Sequence, residues 1–126
     1  MLAGEARAFY YPPGTLYATA FDEHPLAAMA REGRSPRQIM DEIRRRGVRF
    51  LWFNWAEILR LANTYGYEPL LVEGLAGRLA RGEPPGLDLL DRLQAQGLTV
   101  QLQLPPQRGD AWPANLPLVT VYAVPR

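Results

Sequence analysis

The sequence contains no cysteine and no lysine, and a single histidine, His24. Without cysteine, disulfides, thiolate nucleophiles and cysteine-ligated zinc are excluded. No run reaches the ~18 apolar residues needed to cross a bilayer. The opening residues, Met1 to Arg7, lack the basic stretch and apolar run of a signal peptide. They read instead as the second half of a strand. Strong net charge is also missing: 14 Lys+Arg balance 13 Asp+Glu, for a formal net charge of +1. Such a chain has no global field to gather nucleic acid or an anionic membrane. Glycine-rich dinucleotide loops, phosphate-binding Walker loops, nucleophile elbows and His-Glu-x-x-His helices are all absent.

What is present is globular. The 126 residues are 48% hydrophobic and 21% charged, enough for one domain spanning 1–126 with its own core. Positive charge carried by arginine alone suits phosphate or carboxylate recognition; a GC-rich genome writes the same pattern.

Turn signals and apolar periodicity divide the chain. Aromatic residues at 6–11 form a strand that stops at Pro12-Pro13-Gly14, and 16–21 form a second strand, broken by Asp22-Glu23-His24-Pro25. A short helix covers 26–31 and ends at Gly33. Ser35, Pro36 and Gln38 give the capping box of a second helix, whose buried stripe is Ile39, Met40 and Ile43. Arg44, Arg45 and Arg46 suit its C-terminal dipole, and Gly47 its termination. The segment 48–55 is apolar on both faces, as in a central strand covered on both sides. Asn54 caps the following helix, with Glu57 at the reciprocal position. Further helices are expected at 69–80 and 87–96. Val100, Leu102 and Leu104 alternate with polar residues as in a half-buried strand, and a proline-rich connection at 105–117 leads to a last strand at 118–124. The fold class expected is α/β: a mixed, mainly parallel small sheet with flanking helices and a C-terminal antiparallel strand pair, with 16–55 as a βαβ unit.

In such sheets ligands favour the carboxyl ends of parallel strands. Asp22, Glu23 and His24 leave the second strand there, and Asn54, Trp55 and Glu57 leave the third. Two carboxylates beside an imidazole suit acid/base work or a divalent cation. Against that stand the single histidine and the ordinary use of such residues as loop and helix caps. Carboxylates and amides around Tyr17 and Trp55 also suit a sugar. The same residues therefore sustain a carbohydrate- or lipid-sugar-binding module and, more weakly, a hydrolase using Asp22, Glu23 and His24. Glu5 and Arg7 pair with each other or with Arg60. The leucines between 69 and 96 exceed what a small sheet can cover, which predicts an exposed apolar patch and a homodimer in isolation.

The segments Gly4 to Pro12, Tyr17 to Asp22 and Gly47 to Glu57, with Arg60-Leu61 and Tyr65-Gly66, resemble the soluble C-terminal domain of bacterial polytopic membrane proteins. These belong to the dolichyl-phosphate-mannose-protein mannosyltransferase group, glycosyltransferase family 39, with GT-C architecture. The resemblance spans nearly the whole chain. It implies a membrane portion preceding the domain, with catalytic acids in an early extracytoplasmic loop that has no counterpart here. No catalytic residue is therefore assigned, and no cofactor or metal. The implied role is that of an accessory domain at the extracytoplasmic membrane face, docking to a protein partner or to the parent membrane region. Without the resemblance, a chain with no signal peptide is expected in the cytoplasm.

Overall fold

The computed structural model describes residues 2–3, 25–65 and 74–126. In chain order the described elements are β1 (Leu2–Ala3), α1 (Pro25–Arg31), α2 (Pro36–Arg45), β2 (Phe50–Asn54), α3 (Trp55–Tyr65), α4 (Leu75–Ala80), α5 (Asp88–Gln94), β3 (Thr99–Leu104) and β4 (Val119–Ala123). The chain is a mixed α/β fold. The strands predicted at 6–11 and 16–21, and the βαβ unit built on the latter, lie outside the described residues, as do Glu5 and Arg7.

Helix α2 forms where local chemistry is most explicit. The Ser35 hydroxyl accepts the Gln38 N–H at 3.2 Å, while the Ser35 N–H donates to the Gln38 side-chain oxygen at 2.8 Å. Two donors at the helix start are thereby satisfied. At the other end Gly47 takes φ +75°, which only glycine adopts without strain. Its N–H reaches Arg44 O at 2.9 Å and that of Val48 reaches Ile43 O at 3.1 Å. This closes the last turn and redirects the chain into β2. Gly97, at φ +106°, ends α5 by the same pair of bonds and delivers the chain to β3.

The four described strands form one sheet in the order β1-β2-β4-β3. β1 runs parallel to β2, and β2–β4 and β4–β3 are antiparallel. The C-terminal pair is thus the expected hairpin. Its long connection is held by the Trp112 indole donating to Pro117 O at 3.0 Å and by Leu118 N–H on Leu104 O at 2.8 Å. Every described helix sends its buried side chains into one cluster with Leu51, Phe53 and Tyr122 from the sheet.

Four expectations need correction. The strand at 48–55 is shorter, and Trp55 is already the first residue of α3. The most buried strand is β4 rather than β2, because β4 is paired along both sides, whereas Phe50 at the start of β2 is 52% exposed. The helix expected at 69–80 does not run through Gly74: left-handed backbone there, φ +89°, lets α4 begin only at Leu75. The strand β3 is not half-buried. Five of its six residues are exposed, since among the described residues it is paired on one side only, and its register shifts between Val100 and Leu102. A β-bulge at that point breaks the alternation that the sequence pattern suggested.

Candidate functional site

Register decides which side chains share a face. Leu51 pairs with Tyr122, and both point into the helix-side core. Phe50, Trp52 and Asn54 alternate with them and so point the other way, together with Val119, Val121 and Ala123 of β4. Val119 and Val121 are buried yet stand outside the helix-side cluster. Past the bulge, Leu102 pairs with Val121 and Leu104 with Val119, so both leucines join this outer face. An apolar row Trp52–Val121–Leu102 therefore crosses three neighbouring strands. On the same face Phe50, two residues before Trp52 along β2, is 52% exposed, and Leu102 is 50% exposed. Val100, paired with Tyr122, lies on the helix side of the edge strand and is 48% exposed.

The expected site is distributed differently. Asp22, Glu23, His24 and Tyr17 lie outside the described residues. Asn54, Trp55 and Glu57 do come together at the β2–α3 junction, and each has a structural partner. The Asn54 side-chain oxygen accepts the Glu57 N–H at 3.1 Å, capping α3. The Glu57 carboxylate binds the Arg60 guanidinium, with Nε at 3.0 Å, rather than reaching back to the cap. Trp55 is fully buried: its indole N–H donates to Thr120 Oγ1 at 2.9 Å and its ring stacks on Phe53 at 5.4 Å. A ring so placed presents no face to a sugar, which corrects the idea of Trp55 as a stacking platform.

The leucine patch is corrected as well. Leu75, Leu87, Leu89, Leu90 and Leu93 all belong to the core, because α5 packs on α2 over the sheet. Leu70, Leu71 and Val72 lie outside the described residues. The exposed large apolar side chains among the described residues are instead Phe50, Val100 and Leu102. Sequence reasoning missed them because a regular strand would have turned Val100 and Leu102 inward together. The available signal was the absence of charge along Thr99-Val100-Gln101-Leu102-Gln103-Leu104.

Among the described residues, much of the charge is gathered in compact arginine–carboxylate groups. Glu42 is bracketed by Arg45 and Arg46, whose hydrogen bonds hold its carboxyl down at about 2. Arg78 joins α4 to α5 by binding Asp91 and, at 3.0 Å, Asp88. Its guanidinium is held well above the ordinary arginine range, by Asp91 first. Among the described residues no group of three or more His, Cys, Asp or Glu converges on one point, and no helix is long and apolar enough to cross a membrane.

No protein-family model, curated protein or solved structure matches the chain.

Proposed function

We propose that the chain is a non-catalytic accessory domain that docks onto a protein surface through the outer face of its sheet. The counterpart is a partner protein or the parent membrane region, as in the soluble extracytoplasmic domains of the GT-C glycosyltransferases that the sequence resembles. The observation that carries this reading is that half-exposed Phe50 and Leu102 stand on one face of the sheet, beside the apolar row Trp52–Val121–Leu102. Exposed aromatic and aliphatic side chains ringed by neutral polar ones have the anatomy of an interface core with its rim. Asn54 and Thr99 supply that rim. The sugar-binding alternative has less support, since its best-placed aromatic ring, Trp55, is inside the core.

The test is a photo-crosslinking residue in place of Leu102 in the native host, with and without Phe50→Glu. A discrete crosslinked protein that disappears with Phe50→Glu, in a domain of unchanged melting temperature, is the expected result. Glycan-array binding that survives Phe50→Glu, with no protein crosslinked at position 102, overturns the reading in favour of a sugar module.

A further inference from the structure

We propose that β3 is a strand-pairing edge and that its occupant is β3 of a second copy of this chain, joined antiparallel about a twofold axis between Gln101 and Leu102. The inference rests on the docking reading above and names one partner for it.

Three observations carry it. The first is that β3 is open. Among the described residues it has one neighbour, β4, and five of its six residues are exposed. The second is charge. Natural edge strands that must stay single carry lysine, inward-facing charge, proline or a bulge; of these β3 has only the bulge. Residues 93–107 carry no charge at all, and no proline interrupts 99–104. A strand pairing with its own copy sets every residue against one of the same six, so a charge would confront its like nearby. A neutral strand is the kind that tolerates this.

The third is the bulge. In a regular strand, residues an odd number apart point to opposite faces. Thr99 and Leu104 would then disagree. The extra residue at the register shift instead puts both on the outer face, through their partners Ala123 and Val119. Val100 and Gln103 share the helix side, through Tyr122 and Thr120. An axis between Gln101 and Leu102 sets Thr99 opposite the copy's Leu104 and Val100 opposite the copy's Gln103. Both of these pairs have matching faces. The irregularity that disturbs the β3–β4 ladder thus makes β3 self-complementary on either side of the axis. The two Leu102 side chains flank the axis and cover each other, and the outer faces of both sheets become continuous. Six paired residues extend about 20 Å, a small contact of the weak, concentration-dependent class.

Light scattering over a wide concentration series, joined to amide exchange, tests the proposal. The expected mass rises toward twice the monomer, and amides in 99–104 become protected in the same concentration range. Leu102→Lys and Leu102→Glu each abolish the rise, and an equimolar mixture of the two restores it. Position 102 is half-exposed, so both variants retain the wild-type melting temperature. A wild-type chain that stays monomeric throughout overturns the proposal, as does a dimer that persists in both variants without protection at 99–104. A monomer whose Leu102 crosslink to another protein is intact removes this proposal and leaves the docking reading standing.

Discussion

Phe50 and Trp55 belong to one aromatic stretch, Phe50-Leu51-Trp52-Phe53-Asn54-Trp55, and sit at opposite extremes of burial. Composition alone makes them equivalent; register separates them. Phe53, inside the core between Trp55 and Tyr122, should cost about 3–5 kcal/mol when replaced by alanine. Phe50→Ala should stay within about 0.5 kcal/mol, as for exposed positions away from special features. Chemical denaturation of the two variants checks the pair; equal costs would place Phe50 in the core after all. Tyr122 supplies a second residue-scale prediction. Burial, with help from the Asp91 charge, pushes its hydroxyl up to about 12. The protonated form is thus favoured by folding. Its contribution is complete below the unfolded value near 10 and is lost as pH rises through about 12. A spectrophotometric tyrosine titration should show a late-ionising group that is lost in Tyr122→Phe, with stability falling by about 2–3 kcal/mol across that window. The sequence could rank Tyr122 as apolar strand content but could not reveal its neighbours, which come from distant helices.

At the scale of elements, legibility followed how local the cause was. The capping box at Ser35 and the glycine termination at Gly47 are chemistry within a few residues, and both were readable. Removing the cap by Ser35→Ala should cost about 1 kcal/mol, measurable as a lowered denaturation midpoint with unchanged slope. The late start of α4 was not readable, because Gly74 is a tolerable helix residue until its backbone is seen to be left-handed. The bulge in β3 was hidden for the same reason, since its sequence alternates as an ordinary strand does. The Arg78 link between α4 and α5 is equally non-local. It spans Pro84-Pro85-Gly86, where an added Cβ on Gly86 would stand 2.7 Å from the Arg78 guanidinium. Arg78→Gln should cost about 1–3 kcal/mol, between the values for exposed and buried ion pairs, and less at high salt. A loss that is unaffected by salt would assign the effect to packing.

For the molecule as a whole, the α/β class and the C-terminal hairpin were legible because helix caps, turn residues and apolar periods agree with one another. Which face carries exposed Phe50 and Leu102 was not, since that depends on how the strands are ordered in space. That order has a further consequence. Among the described residues the sheet ends on one side in the six residues of β3 and on the other in the two residues of β1. Polymerisation by strand addition needs two competent ends, one to offer and one to receive. The proposed twofold pairing uses the same β3 edge of both copies and so would close after one step, consuming in a closed pair a neutral, β-prone hexapeptide that would otherwise seed fibres. Concentrated protein should reach a plateau in mass, with no rise in cross-β dye fluorescence. A Leu102→Lys chain, having lost its means of closure, should give no fibres either, because the added charge breaks the seeding segment itself.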